Sequence, residues 1–296
     1  MRYHAIRQHE SSYPVVALCR VLGVNRSGYY AWRDRPRSRR DQANDRLLVQ
    51  IRAVHQSSRQ IYGSPRITDE LRSQGERCDE KRVARLMRQA GIRAKTVKKF
   101  RATTNSKHGE PVYANVVNRS FASARPNRKW LSDITYVWTS EGWLYLAAVL
   151  DLYSRRIVGC AMSSRIDAAL TESALRQAVG RRRPQPGLVH HSDRGVQYAA
   201  GDYRKLIDEH GMVGSMSRKG DCWDNAPMES FFGTLKQELV FHERFATRAE
   251  AKRKIFEYIE MFYNGWRRHS SLGGVSPIEF ERNYMQRYIK MANPTN

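Results

Sequence analysis

The apolar period of the chain changes at Pro126, and no other feature of the sequence limits its fold as strongly. Upstream, apolar residues recur three and four positions apart, as on helices; downstream they crowd into short aromatic and β-branched runs. Lys129 to Thr139 and Trp143 to Leu150 are two such runs divided by Ser-Glu-Gly, and Ile157 to Met162 follows Tyr153-Ser-Arg-Arg, which predicts three strands in hairpin order. A helix is predicted from Asp167, its cap, to about Gly180, then a short buried strand over Gly187 to Ser192, a helix over Asp202 to His210, a strand over Met212 to Met216 and a helical stretch from about Ala226. The order βββ-α-β-α-β-α defines an α/β class with a mixed five-stranded sheet and flanking helices. The chain contains neither a Gly-rich phosphate loop nor a dinucleotide fingerprint, which removes the common nucleotide-binding α/β classes. Its longest apolar stretch, Trp143 to Leu150, is eight residues, far below the roughly 20 of a membrane helix.

The front of the chain is all-helical and basic. Of 296 residues, 52 are Lys or Arg and 29 are Asp or Glu, a net charge of +23, and 41% hydrophobic residues suffice for a core. Residues 1–107 hold 25 basic and 9 acidic side chains, against 27 and 20 in the remainder. Such a local excess points to a polyanion, and nucleic acid is the commonest inside cells. Within residues 1–40, Val15, Leu18 and Leu22 share a helical face, Gly23 breaks it and Ser27 is the expected cap of a second helix carrying Tyr30 and Trp32, which is helix-turn-helix spacing. Residues 41–102 form a second helical unit: Leu47, Leu48, Ile51 and Val54, then Ile67 and Leu71, then Val83, Leu86, Met87 and Ala90 between Asp79 and Gly91. The complementary face carries Arg82, Arg85 and Arg88, followed by Lys95, Lys98 and Lys99, an arrangement suited to phosphate contacts. The competing reading is a solvated basic face. Residues 103–126, polar with two prolines, are expected to be a linker, 127–240 the α/β domain and 241–296 a helical extension. Four scattered cysteines form no framework, which fits a reducing cytoplasm.

Three carboxylates stand out by position. Asp133 interrupts the first strand, Asp193 follows the strand ending at Ser192, and Glu229 opens the helix after Ala226. A carboxylate in a buried strand is costly to ionise unless paired or bound to a cation. Were these three to converge, they would repel one another and favour hard divalent ions, Mg²⁺ or Mn²⁺. Two such ions roughly 3.5–4 Å apart act on phosphodiesters by in-line displacement. The alternative is that these acids cap helices or pair with surface arginines.

Asp193 and Glu229 are separated by 35 residues, and Lys236 follows Glu229 by seven. Around them stand Trp130-x-x-Asp133-Ile-Thr-Tyr, His191-Ser-Asp193-Arg-Gly-Val-Gln197-Tyr198, Gly220-Asp-Cys-Trp-Asp-Asn225-Ala, Glu229-Ser-Phe-Phe-Gly-Thr-Leu-Lys236 and Tyr263-Asn264-x-x-Arg267-Arg268-His269. The set resembles the D,D(35)E signature of retroviral-integrase-like recombinases, and more closely the second-frame (OrfB) product of the insertion sequence three family of bacterial transposases. That resemblance implies an RNase H-like core with its first and fourth strands adjacent, cleavage of DNA at element ends by water, and attack of the freed 3′-hydroxyl on a second phosphodiester. It implies Asp133, Asp193 and Glu229 as catalytic ligands of two Mg²⁺ or Mn²⁺ ions and Lys236 as a DNA contact near the scissile end. Arg267 and Arg268 are further candidate DNA contacts, although cations ending a helical stretch also complement its dipole. His191, Gln197 and Asn225 are candidates for supporting the site. The implied partners are double-stranded DNA (terminal inverted repeats and target), further copies of the chain and an upstream-frame (OrfA) protein or fusion, in the bacterial cytoplasm at the nucleoid. The alternatives are an RNase H-like nuclease without strand transfer and a catalytically inactive DNA-binding regulator.

Overall fold

The computed structural model describes residues 1–95, 112–218 and 222–292. Its centre is the hairpin of β1 (Lys129–Thr139) and β2 (Gly142–Asp151), antiparallel from Trp130↔Asp151 to Thr139↔Gly142. β3 (Ile157–Ser163) pairs antiparallel with β2, while β4 (Val189–Ser192) and β5 (Val213–Met216) add in parallel beyond β1. The order β3-β2-β1-β4-β5 is that of an RNase H-like sheet, as expected. The strands alternate cleanly: Leu131, Val137, Leu144, Leu146, Ala148 and Leu150 face one core, and Trp130, Ala147, Val149 and Val158 face another. β4 stops at Ser192, opposite Ser132, so β1 runs on past its parallel neighbour from Asp133.

The helices before the sheet are α1 (Arg2–His9), α2 (Val15–Val21), α3 (Arg26–Arg33), α4 (Arg39–Ser57), α5 (Ser64–Ser73) and α6 (Glu80–Gln89). The first three close on Ile6, Cys19 and Tyr29. α3 starts earlier than expected: Asn25, not Ser27, is its cap, accepting from the Ser27 N–H at 3.1 Å. Asp79 caps α6 by accepting from the Lys81 N–H at 2.9 Å, and Gly91 ends that segment with φ +69°.

One face of the sheet is covered by α7 (Ala168–Arg182), α8 (Val196–Ala199) and α9 (Gly201–Glu209). Gly159 lets α7 lie on β3, since a Cβ there would stand 2.2 Å from the Ala174 carbonyl oxygen. The opposite face carries α10 (Ala226–Glu238), α11 (Arg248–Glu257) and a wide π-helical turn Tyr258–Tyr263, while α12 (Pro277–Ala292) meets the β2–β3 turn and the end of α7 through Glu281, which accepts from Ser154, Arg156 and Arg182. Phe231, Leu235, Ile255 and Ile259 pack this layer, and the core of the α4–α6 unit (Leu47, Ile51, Ile67, Leu71, Val83) is continuous with it. Each such side chain contributes roughly 1.5–3 kcal/mol by leaving water.

Residues 112–126, the described part of the expected linker, form no regular element but are held down. Val117 is buried, the Tyr113 ring lies against Gly214, and the N–H groups of Val116 and Val117 donate to Ser215 Oγ at 2.9 and 3.3 Å. No helix among the described residues is long and apolar enough to cross a membrane.

Candidate active site

Parallel pairing of β1 with β4 runs in register from Lys129↔Val189 to Ser132↔Ser192, so the next residues on each chain, Asp133 and Asp193, emerge side by side. Alternation turns Asp133 to the face covered by α10, where Glu229 stands on the first turns of that helix. Asp133 and Asp193 are half-buried, whereas Glu229 lies at the solvent rim. Burial pushes the Asp133 carboxyl well above its ordinary range; the charge of Asp193 and, more weakly, of Glu229 adds to this, against the Ile134 N–H and Lys236. Partial desolvation also raises Glu229. Lys236, one helical face along from Glu229, is lowered by burial and drawn back up by Asp133. Its ammonium also stands 5.1 Å from the centre of the Tyr136 ring.

Asp133 and Asp193 are thus neighbours at the end of the parallel pair, and Glu229 is near enough for its charge to act on Asp133. Among the described residues no three acidic, imidazole or thiol groups are close enough to share one ion. The donor set still suits a hard cation: it consists of carboxylate oxygens, with ionisation disfavoured by burial at Asp133 and Glu229 and further by the Asp193 charge at Asp133, and a divalent ion offsets both effects. Nearby, Asn225 donates from Nδ2 to the Ser132 carbonyl at 3.4 Å while its buried Oδ1 meets no donor among the described residues.

The supporting residues differ in how they act. Asp193 Oδ1 accepts from the Gly195 N–H at 2.9 Å, and a Cβ on Gly195 would lie 3.0 Å from that oxygen and 2.9 Å from Gln197 Oε1, so a larger residue there would displace one of these two side-chain ends. Gln197 thus sits beside the Asp193 carboxylate. His191 faces inward instead, with Nδ1 2.8 Å from Ser215 Oγ and Nε2 3.2 Å from Ser217 Oγ, and burial lowers its pKa to about 4, so the ring is neutral at physiological pH. Sequence pattern alone does not single out Asp224, yet it is fully buried at the entry to α10. It accepts from Arg218 (N at 2.9 Å, Nε at 3.0 Å, Nη2 at 2.9 Å), from Arg119 Nε at 3.1 Å and from Asn115 Nδ2 at 2.8 Å. The Arg218 hydrogen bonds hold its carboxyl far below the usual range. This clamp fixes the start of the helix that carries Glu229. Asp151 accepts from the N–H groups of Asn127 and Tyr153 at 2.7 and 2.8 Å, serving the turns at the sheet's base.

The basic candidates divide by location. On α6, Arg82 is partly engaged by Asn44 Oδ1 at 2.9 Å, Arg85 is half-buried and Arg88 is exposed, as is Lys95 in the segment after the helix. Lys98 and Lys99 lie outside the described residues. Arg267 is buried, with Nε 2.9 and 3.0 Å and Nη2 2.7 Å from the Glu238 carboxylate oxygens. Arg268 is taken up by Glu70 Oε2, Ser73 Oγ and the Gly274 carbonyl at 2.7, 2.7 and 2.6 Å. Arg268 thus ties the α5 helix to the end of the chain and Arg267 ties that same segment to α10, so in this structure both guanidinium groups are engaged by protein. Asn264 completes that block by pairing both amide atoms with the Ile157 backbone at 2.9 Å.

The sheet order, with carboxylates gathered where β1 outruns β4, defines an RNase H-like nucleic-acid-processing enzyme of the integrase-core type. Comparison with known proteins agrees. The Integrase core domain family matches residues 123–222, a second Integrase core domain family matches 229–285, and an HTH-like domain matches 42–100. The chain is 50% identical over 269 residues to an insertion element IS600 uncharacterized 31 kDa protein of Shigella sonnei, covering 91% of this chain and 99% of that one. It is 45% identical over 283 residues to transposase InsF for insertion sequence IS3A of Escherichia coli (strain K12), covering 95% and 98%. Among solved structures, the HTLV-2 integrase catalytic core domain in complex with magnesium aligns at 15% identity and a TM-score of 0.42, over 54% of this chain and 99% of that one. The chain belongs to the IS3 family of transposases.

Proposed function

We propose that this transposase binds the terminal inverted repeats of its insertion element, cuts the DNA there and joins the ends to target DNA, with Asp133, Asp193 and Glu229 holding two Mg²⁺ or Mn²⁺ ions. The observation that carries the proposal is the convergence of Asp133 and Asp193 from adjacent parallel strands onto the face where α10 presents Glu229. When bound, the ions supply charge to polarise phosphodiester oxygens. The chain's own groups do the rest. Lys236, beside Asp133, binds the phosphate next to the scissile bond; Gln197 and Asn225 offer amide groups at the edges of the carboxylate pair; and the Asp224 clamp holds α10 in place. In cleavage, a water oxygen bonds to phosphorus as a bridging P–O bond breaks and frees a 3′-hydroxyl. In joining, that hydroxyl forms a new P–O bond while a target-strand P–O bond breaks. The exposed Arg88 and Lys95, together with Arg82, Arg85, Lys98 and Lys99, hold the flanking duplex by its phosphates. Two ends require two active sites, so the working species is a homo-oligomer on paired ends, with an upstream-frame protein as a further partner, in the cytoplasm.

Glu229→Gln tests this, because it keeps size and shape and removes one charge. With labelled element-end duplex and Mg²⁺, the variant should bind like the parent and neither cut nor join. Equal cleavage by the two proteins would remove Glu229 from the reaction, and cutting without joining by the parent would reduce the chain to a nuclease.

A further inference from the structure

The part of β1 beyond Asp133 presents aromatic rings to solvent. Tyr136, Trp138 and Trp143 are 41%, 59% and 43% exposed, although such side chains are normally covered. Tyr136 and Trp138 share one face of β1, and Trp143 stands directly opposite Trp138 in the hairpin. The rings brace one another edge to face, with centres 5.0 Å apart for Tyr136 and Trp143 and 4.8 Å for Trp138 and Trp143. α7 and α9 cover this side of the sheet farther down, around Trp130 and Val149, and leave the hairpin end bare. Cations border the patch: Lys236 lies over the Tyr136 ring, and Arg248 donates from Nε to the Trp143 carbonyl at 3.0 Å. Asp133 and Tyr136, three residues apart, turn to opposite faces of β1, and Lys236, whose ammonium lies over the Tyr136 ring, is still near enough for the Asp133 charge to act on it.

We infer that these three rings are a stacking site for unpaired DNA bases, taking the nucleobases of the strand that frays next to the scissile phosphate. Tyr136 lies three residues, or roughly 10 Å, along β1 from Asp133, about the length of three stacked nucleotides. A strand whose phosphate sits by Lys236 has its neighbouring bases within reach of Tyr136 and Trp138. Aromatic faces with flanking cations suit bases of any identity, because every base has a π-face and the cations take the phosphates. An apolar protein partner would gain nothing from the bordering Lys236 and Arg248, which a polyanion uses. The inference rests on the DNA-processing role proposed above and assigns a second ligand subsite to it.

The test is anisotropy of a fluorescein-labelled twelve-nucleotide oligothymidylate, with a blunt duplex of equal length as control, on the full chain. Trp138→Ala should weaken oligothymidylate binding about 5- to 100-fold, leave the duplex affinity within twofold and keep the slope of log K against log salt unchanged, since no phosphate contact is lost. Trp138→Phe should recover most of the affinity, whereas Trp138→Leu, which restores apolar bulk without a π-face and would suffice for a role confined to β1 packing, should not. On the unaltered protein, photocrosslinking with 5-iodouracil in the same oligonucleotide should mark the peptide holding residues 129–139 or Trp143, so folding of a variant is not the only guard. Unchanged oligothymidylate affinity in Trp138→Ala, crosslinks only elsewhere, or loss of self-association without loss of oligonucleotide binding would each overturn the inference, the last by making the patch a contact between copies of the chain. Oligothymidylate binding requires no cleavage, so stacking by a protein that fails to cut element ends would refute the transposition proposal alone. Cutting with no sign of stacking would refute only the base-stacking site.

Discussion

Replacing Arg267 with methionine distinguishes a phosphate contact from a structural ion pair. Arg267 is 7% exposed, and its guanidinium makes three contacts of 2.7 to 3.0 Å with Glu238, which also accepts from the Tyr258 hydroxyl at 2.7 Å and from Arg66 at 3.5 Å. Burial works against the charge on Arg267, and the Glu238 hydrogen bonds outweigh it, so its pKa lies above the usual value. Methionine keeps the length of the side chain but leaves a buried carboxylate without its principal partner, a loss of about 3–5 kcal/mol. At roughly 2–4 °C per kcal/mol for a fold of this size, the melting temperature should fall by about 10 °C. The double variant Arg267→Met, Glu238→Met removes both charges and should regain most of that, giving a coupling energy well above the few tenths of distant sites. Circular dichroism melts measure the stability, and anisotropy on element-end duplex at several salt concentrations measures the phosphate contact. Loss of a phosphate contact lowers the slope of log K against log salt by about 0.9. A variant with unchanged melting and a reduced slope would refute the structural role and return Arg267 to the DNA.

Arg88→Ala, on the exposed face of α6, is expected to behave oppositely, with an unchanged melting curve and a salt slope lower by nearly one. Asp133→Asn should raise the melting temperature of the metal-free protein at neutral pH: the native state holds the Asp133 proton to higher pH than the unfolded chain, so a destabilisation builds as pH rises from the ordinary carboxylate range to the raised native one, and the gain should vanish below the ordinary range. His269, buried against Tyr263 and lowered to about 3 by burial and the charges of Arg267, Arg66 and Arg155, binds a proton on unfolding. Its contribution is complete above the unfolded pKa near 6.5 and is lost as pH falls toward 3, so His269→Phe should flatten the pH dependence of melting between those limits; an identical profile in both proteins would contradict it. Asp224→Asn should slow cleavage and speed amide exchange at the first turn of α10 while sparing duplex binding, and exchange confined to other segments would remove its positioning role.

The β1 boundaries, Lys129–Thr139, coincide with the predicted run because an eleven-residue strand of alternating burial leaves a pattern that local reading detects. Asp167 is legible for the same reason, since a cap acts within three residues, here on the Leu170 N–H. The juxtaposition of Asp133 with Asp193 follows from strand order, which the family resemblance implied and local periodicity could not. What stayed hidden are the charges whose partners are remote. Arg268 meets Glu70 across 198 positions and Asp224 meets Arg119 across 105, separations at which a basic side chain looks the same in sequence whether it binds phosphate or a buried carboxylate. The segment from Val112 to Pro126 reads as a linker by composition because its anchoring depends on Ser215 and Asp224, nearly a hundred residues away or farther.

The contacts of the α4–α6 unit give the chain a closed architecture. Arg59 pairs with Glu257, Tyr62 stacks on Trp266 at 5.1 Å, and Arg268 reaches Glu70, so the early helices are latched to the later part of the polypeptide. Severing the backbone between residues 95 and 112 would therefore not release the front piece. The two fragments, expressed separately, should find each other and reconstitute one particle, as a clasp holds a cut bracelet.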